Sequence, residues 1–152
     1  QGQERRYENE IVGLNSRMTD IHAAIGRVQL RQLDVWTRRR QQNAAFLDAH
    51  LRGVVTPAVA QGAKHVYHQY TIRVPDHDRD AFADQLAKRG VGTGIYYPVP
   101  THRLPAYRRN DSLPITEKVV RECLSLPVHP AVTGADLETI VNAVNALAAS
   151  GS

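Results

Sequence analysis

The longest regular pattern of apolar positions lies between residues 19 and 53. Apolar side chains recur there at helical spacing, at Ile21, Ala24, Ile25, Val28 and Leu33 and then at Trp36, Ala44, Phe46, Leu47 and Leu51. Thr19 suits an N-cap and Gly53 a C-cap. Because this span exceeds a typical globular helix, the pattern predicts either one long, bent helix or two nearly collinear helices that break near Leu33 to Trp36.

After Gly53 the pattern changes to short, alternating elements. The segments 66–74 and 91–97 are rich in β-branched and aromatic residues and predict strands, although two glycines weaken the second. Helices are predicted from Phe82 to a stop at Gly90, over 115–124 behind Pro114, and after a capping box formed by Thr133 and Asp136.

The order of these elements indicates an α/β fold. We expect a small α/β sandwich, with a short sheet and helices on one face, preceded by the long helix. Two strands are too few for a stable sheet, so a third is expected from 54–55, from 125–128 or from another part of the protein. The predicted organisation is an extended interface and anion-binding segment over 1–18, the helix over 19–53 and a small C-terminal α/β domain over 54–149.

Composition and charge exclude several classes of protein. The hydrophobic fraction, 42%, and the charged fraction, 22%, are ordinary for a soluble globular domain. No stretch approaches the roughly 18 apolar residues of a membrane helix. The net charge of +4 includes a basic cluster at 38–40, interpreted as a solvated helix face. Since no basic run is interleaved with aromatic residues, neither nucleic acid nor a membrane is an expected partner.

Few residues suggest catalysis or metal binding on their own. The sequence has no metalloprotease, phosphate-loop or dinucleotide motif. His65 and His68 lie three apart in a strand-like run, where they would point to opposite faces, so no metal site is expected. The single cysteine, Cys123, is predicted on a helix as a buried, inert thiol. One cysteine excludes an intrachain disulfide and fits a reducing compartment, so we expect a cytoplasmic protein.

The first candidate binding cluster lies at residues 13–20. Asn15 and Arg17 stand just before a predicted helix N-terminus, where free backbone N–H groups and a guanidinium favour an anion. Helix capping is the alternative explanation for Asn15 and Thr19. The chain also opens without a methionine or a signal core, and it reads as a sequence that begins in mid-protein.

The second candidate cluster lies at residues 94–102. Tyr96 and Tyr97 end a predicted strand, prolines stiffen the following loop, and His102 closes it. Loops held by a scaffold are frequent sites of ligand binding. The alternative is that the tyrosines are half-buried sheet residues and the histidine is part of a turn.

At these clusters the chain resembles the DegT/DnrJ/StrS family of sugar aminotransferases, which depend on pyridoxal 5'-phosphate (PLP). The matching blocks follow the family's order and approximate spacing and cover nearly the whole chain. They are 13–18, 23–26, 29–30, 38–40 with Asn43, 67–70, 96–102 and 124–130. Among them, a structural role is at least as strongly expected as a binding role for His68, Ser125 and His129.

The resemblance implies the C-terminal domain of a fold-type I PLP enzyme that works as a homodimer. The implied reaction transfers an amino group from glutamate or glutamine to a nucleotide-linked keto sugar. In the family a larger N-terminal domain carries the Schiff-base lysine, and Lys64, Lys88 and Lys118 lie in no matching context. We therefore expect that domain and its PLP to be absent here, no catalytic residue in this chain, and no activity from these residues alone.

Residue roles also follow from the resemblance. Asn15 resembles the residue that holds the PLP phosphate in the partner's active site, and Arg17 resembles a contact to the substrate or its diphosphate. Tyr96, Tyr97 and His102 resemble the loop that lines the sugar-nucleotide pocket, although many relatives have histidine in place of Tyr96.

Two alternatives to amino transfer remain open at this point. One is a PLP-dependent sugar dehydratase of the same family, and the other is a non-catalytic dimerisation or anion-binding module derived from it. The resemblance further implies that the long helix exposes an apolar stripe that the larger domain normally covers, which would favour self-association.

Overall fold

The computed structural model describes residues 3–5, 8–9, 17–107 and 109–150. These residues form, in chain order, β1 (Gln3–Arg5), β2 (Glu8–Asn9), α1 (Asp20–Leu30), α2 (Leu33–His50), β3 (Tyr70–Arg73), α3 (Arg79–Lys88), a 3₁₀ turn (Thr101–Arg103), α4 (Pro114–Glu122), β4 (Cys123–Leu126) and α5 (Gly134–Ala149). The chain divides into two compact units, Gln1–Asp34 and Val35–Ser152.

The first unit contains a short antiparallel ribbon, β1 with β2, and helix α1. The Thr19 hydroxyl accepts a hydrogen bond from the His22 N–H at 3.3 Å, which confirms the predicted N-cap. No side chain of α1 is buried in the chain. Ile21, Ile25 and Val28 share one side of the helix and are 73%, 52% and 62% exposed, so α1 presents an uncovered apolar face.

The predicted long helix occurs as two helices. Residues Arg31 and Gln32 form a turn between α1 and α2, slightly before the expected break at Leu33 to Trp36. Helix α2 ends at His50, and Gly53 follows with a φ of 70°, a conformation that glycine adopts without steric cost. Asn43, Ala44 and Leu47 are the buried residues of α2.

The sheet of the second unit is smaller than the sequence predicts. β3 pairs antiparallel with β4, with Tyr70 opposite Leu126 and Arg73 opposite Cys123. Single bridges add Val55 beside β3 and Gly94 beside β4. Both 54–55 and the region of 125–128 therefore contribute to the sheet, as expected, but the first does so by one bridge only.

Two predicted element boundaries are wrong. The segment 91–97 was expected to form a strand, yet only Gly94 bridges to its neighbour, because glycines at 92 and 94 leave few side chains to pack in a sheet. The helix expected over 115–124 ends at Glu122, and Cys123 begins β4 instead of lying on a helix. Pairing with β3 outweighs the local helical pattern at that point.

The core of the second unit lies between the sheet and helices α2, α3 and α5. Helix α3 packs on α5 and β4, and α4 packs on β3. The largest fully buried apolar side chains are Leu47, Tyr70, Ile72, Val74, Leu86, Leu124 and Val144. The capping box predicted for α5 is present, with Thr133 and Asp136 bonded reciprocally. In the described part of the chain, every helix is too short or too polar to cross a bilayer.

A cleft at the ends of the two strands

An open cleft of about 680 Å³ lies in the second unit. It is lined by Arg40 of α2, by His68 and Gln69 before β3, by residues 92–94 with Tyr96 and Tyr97, and by residues 125–129 at the end of β4. These four segments are far apart in the sequence, and each of them includes residues from a block in which the chain resembles the family. The fold therefore brings together residues that the sequence places more than fifty positions apart.

Strand register explains why these segments meet. Tyr70 opposes Leu126, so the residues that lead into β3 and those that leave β4 lie at the same end of the sheet. The Gly94 N–H donates to the Ser125 carbonyl at 3.0 Å, and the Ser125 N–H donates to the Gly94 carbonyl at 2.8 Å. This reciprocal pair holds the tyrosine segment against β4.

Helix α2 secures two walls of the cleft through polar side chains. Arg40 Nη1 donates to the carbonyls of Tyr67 and His68, at 3.2 and 3.5 Å. Asn43, which is 2% exposed, donates through Nδ2 to the His129 carbonyl at 3.1 Å. Arg40 also places a positive charge at the cleft.

The sequence-based site residues did not include Arg40. The sequence predicts a solvated helix face at 38–40, and this holds for Arg38 and Arg39, which are exposed. Arg40 differs because its side chain is half-buried against the segment before β3. The sequence indicated a role for Arg40 only through block 38–40, one of the blocks in which the chain resembles the family.

Tyr96 and Tyr97 both line the cleft, and the substrate-binding role expected for them stays a prediction. Their side chains are 54% and 76% exposed, and their rings meet edge to face with centroids 6.2 Å apart. The ring of Tyr96 lies over Gly94. A Cβ added to Gly94 would lie 2.7 Å from the Tyr96 Cζ and 2.8 Å from its Oη, closer than real side-chain contacts.

His102 lies in the 3₁₀ turn and is not among the residues that line the cleft. Its side chain is 9% exposed, and Nε2 lies 3.1 Å from Oε1 of Glu117 on α4. Arg103 donates to the same oxygen from Nη2 at 2.8 Å and from Nε at 3.2 Å. These hydrogen bonds, from Arg103 first and then from His102, lower the pKa of Glu117 to about 2.

The first candidate cluster belongs to the other unit. Asn15 lies outside the described residues. Arg17 is exposed in the extended segment that leads to Thr19 and helix α1. The anion-binding roles expected for Asn15 and Arg17 therefore stay predictions.

Two further family-block residues line the cleft beside the tyrosines. Ser125 is 7% exposed, and its hydroxyl lies 2.8 Å from that of Thr71 across the sheet. His129 lies at the end of the segment that follows β4. The Ser125 hydroxyl therefore joins β4 to β3, which is a structural role.

Cys123 is half-buried, whereas the sequence predicts a buried thiol. Burial raises the pKa of this thiol, which disfavours the reactive thiolate.

The polar side chains that line the cleft suit an anionic ligand, but they do not suit the aldehyde of PLP, which forms an imine with a lysine. Neither a lysine nor an acidic side chain is among the described residues that line it, so the cleft supplies no amine for an imine bond. Nor do the described residues contain a group of three or more His, Cys, Asp or Glu side chains able to hold a metal ion.

Comparison with known proteins identifies relatives of the whole chain. The model of the DegT/DnrJ/EryC1/StrS aminotransferase family matches residues 1–145. The chain is 36% identical over 148 residues to dTDP-3-amino-3,6-dideoxy-alpha-D-galactopyranose transaminase of Aneurinibacillus thermoaerophilus, a match that covers 95% of this chain and 40% of that protein. It is also 36% identical to dTDP-3-amino-3,4,6-trideoxy-alpha-D-glucose transaminase of Streptomyces venezuelae, covering 94% of this chain and 39% of the relative.

A solved structure gives the same result for the fold. The crystal structure of S. venezuelae DesV in complex with a ketimine intermediate superposes with a TM-score of 0.84 at 36% identity. The superposition covers 97% of this chain and 41% of that one. The chain thus spans about 40% of the length of the relatives it matches, and its fold is a portion of the fold found in those aminotransferases.

Proposed function

Because the chain belongs to the DegT/DnrJ/EryC1/StrS aminotransferase family, we propose that it forms the C-terminal portion of a sugar aminotransferase that depends on PLP. The reaction proposed is transfer of an amino group from glutamate or glutamine to a nucleotide-linked keto sugar. The observation that carries this proposal is the cleft, where Arg40, the tyrosine segment and the segment after β4 meet.

The chemistry of the cleft suits a sugar nucleotide. Arg40 contributes a positive charge for a diphosphate, and the cleft has no described acidic side chain to repel it. Tyr96 and Tyr97 offer exposed aromatic faces and phenol groups, which pack against a sugar or a base and bond to its hydroxyls. The open shape admits a ligand that extends beyond the chain itself.

The chain's part in the reaction is to bind and orient the substrate. When bound, PLP serves as an electron sink, and that chemistry belongs to the cofactor. Because the cleft lacks a lysine among its described residues, the lysine that binds PLP belongs, in our proposal, to the larger N-terminal domain of the full-length protein. We propose that these 152 residues are inactive alone.

The remaining parts of the assignment rest on position within the family pattern. Asn15 is proposed to hold the PLP phosphate across a homodimer interface, and Arg17 to contact the substrate. Tyr96, Tyr97 and His102 are proposed to form the substrate loop, with His102 acting from behind the cleft. The single cysteine favours the reducing cytoplasm as the location.

The test is to express the full reading frame and measure PLP absorbance and amino transfer to dTDP-linked and UDP-linked keto sugars, beside the 152-residue chain. Amino-sugar product from the full-length protein alone supports the proposal. Release of a dehydrated sugar without a new amine would instead identify a dehydratase. A full-length protein that neither binds PLP nor forms product would leave a non-catalytic module and overturn the assignment.

Arg40→Gln tests the cleft within the active protein. Loss of the charge that faces the diphosphate should raise KM by about tenfold or more, since hydrogen bonds to charged groups are among the strongest. The matched control is Arg39→Gln, which removes the same charge from an exposed position one residue away. Equal effects of the two variants would show that the cleft is not where the substrate binds.

A further inference from the structure

Glu117 of α4 accepts hydrogen bonds from the Thr101–Arg103 turn, which follows the tyrosine segment. Its Oε1 accepts from His102 Nε2, from two nitrogens of Arg103 and, at 3.5 Å, from the backbone N–H of Leu113. One carboxylate oxygen thereby joins the 3₁₀ turn and the residue that precedes α4. The glutamate itself lies outside the cleft lining.

The contacts of Glu117 with His102 and Arg103 are strengthened by charge, although Glu117 is partly exposed. The Glu117 side chain is 24% exposed and the His102 side chain is 9% exposed, so the histidine contact is shielded from solvent. Arg103 donates from Nη2 and Nε to the same carboxylate oxygen, and hydrogen bonds between two charged groups are stronger than neutral ones. The low pKa of Glu117 keeps it ionised at neutral pH.

The turn is linked to the cleft by a stiff stretch of chain. Residues 98–100 are Pro-Val-Pro and connect Tyr97 directly to Thr101. Each proline fixes its own φ and restricts the residue before it. The Arg103 N–H donates to the Pro100 carbonyl at 2.8 Å, which ties the last of these residues to the turn. The backbone between Tyr97 and the turn therefore has few conformations available to it.

We propose that Glu117 is a positioning residue for the cleft, which fixes the Thr101–Arg103 turn and through it the place of Tyr97 at the cleft mouth. His102 contributes to substrate binding by the same route, since its ring nitrogen is engaged by Glu117. The inference deepens the proposed function, on which its kinetic test rests, and adds a residue that neither binding cluster contains.

A double-mutant cycle in the full-length enzyme tests this route. Glu117→Gln keeps the size of the side chain and removes its charge, so KM for the keto sugar nucleotide should rise about tenfold with kcat within about twofold. In a Tyr97→Ala background the same substitution should change KM by less than about twofold, because the group through which it acts is gone. Lys118→Gln, the next residue on α4 and 62% exposed, is the control and should change nothing.

Additive effects of Glu117→Gln and Tyr97→Ala, or an unchanged KM in Glu117→Gln, would overturn the proposal. If Glu117 were only structural, Glu117→Gln would lower the melting temperature without raising KM relative to kcat.

Hydrogen exchange in the full-length protein provides a second measurement that needs no activity. The amides of Arg103 and Leu104, which bond within the turn, and that of Gly94, which bonds to Ser125, should exchange about tenfold faster in Glu117→Gln than in Lys118→Gln. Should the protein lack aminotransferase activity, the proposed function fails and this experiment alone decides the positioning role. Equal exchange in the two variants would refute that role.

Discussion

Glycine at position 94 is required by a side chain rather than by a turn. Its backbone is fixed to Ser125 by two hydrogen bonds, so it cannot retreat, and the Tyr96 ring occupies the space in which a Cβ would stand. Gly92, two residues earlier and also in the cleft, has no atom within 4 Å of a built Cβ. The two glycines look alike in the sequence and differ completely in what they allow.

Gly94→Ala should therefore push the Tyr96 ring from its place in the cleft. Because that side chain is 54% exposed and can move aside, we expect a loss of no more than about 1 kcal/mol in unfolding free energy, together with a raised KM in the proposed full-length enzyme. Urea denaturation and steady-state kinetics measure the two effects. Gly92→Ala is the control for stability and should stay close to the parent in unfolding free energy. A Gly94→Ala variant with an unchanged KM would contradict the placement of Tyr96.

Single residues of the cleft were predictable where neighbouring residues in the sequence form a recognisable motif. Two adjacent tyrosines before a proline-rich loop are such a motif, and the structure places both at the cleft. Arg40 and Asn43 carry no local mark, because their partners lie 27 and 86 positions away in the chain. His102 was recognised by its motif, but only the fold shows that α4 supplies its partner.

At the scale of elements, helix starts were predictable and so was strand β3, which lies within the predicted segment 66–74, whereas the start of β4 was not. Thr19, Pro114 and the pair Thr133 and Asp136 act on backbone groups within one turn, so the sequence alone locates them. Strand β4 depends on pairing with β3, whose residues lie some fifty positions earlier. Nothing in the run 115–124 signals that partner, and the predicted helix consequently continued too far.

The capping box of α5 gives a prediction at this scale. Thr133→Ala should lower the unfolding free energy by about 1 kcal/mol at neutral pH, because the hydroxyl satisfies the Asp136 N–H. Denaturant unfolding measures the change. Glu138→Gln, an exposed substitution on the same helix, is the control. A cost no larger than that of the control would show that the cap contributes nothing.

Acid should reduce the effect of Thr133→Ala. Hydrogen bonds from the Thr133 side chain and backbone lower the pKa of Asp136 below its ordinary value of 3.8. A lowered folded-state pKa means that the carboxylate stabilises the fold fully above the unfolded-state value, and that this contribution is lost as pH falls through the folded-state pKa. The difference in unfolding free energy between the two proteins should therefore shrink between neutral pH and pH values below 3.8, and the part due to the Asp136 N–H bond should remain.

At the scale of the whole molecule, the apolar face of α1 is the feature without a covering partner in the described structure. Ile21, Ile25 and Val28 expose more than half of each side chain, and the helix buries none of its residues. Contiguous apolar surface of this kind favours association. The family resemblance assigns its cover to the larger domain, which the sequence could suggest only through that resemblance.

The 152-residue chain should consequently self-associate as its concentration rises, as sedimentation velocity would show. Ile25→Glu places a charge on the apolar face of α1 and should shift the chain towards monomer. Arg27→Gln changes the net charge by the same amount at an exposed position on the opposite side of the helix, and it should leave association unchanged. A chain that remains monomeric at high concentration would show that this face needs no partner.

The hydrogen bonds from α2 to both walls of the cleft determine when during folding a binding site can exist. Arg40 and Asn43 join residues whose separation in the chain makes loop closure slow and entropically costly. The cleft is therefore assembled only after β3 and β4 have docked on the helix, and no partly folded intermediate offers a ligand the complete set of contacts. Any ligand of the cleft binds the finished fold alone, and by mass action it draws the folding equilibrium towards that state.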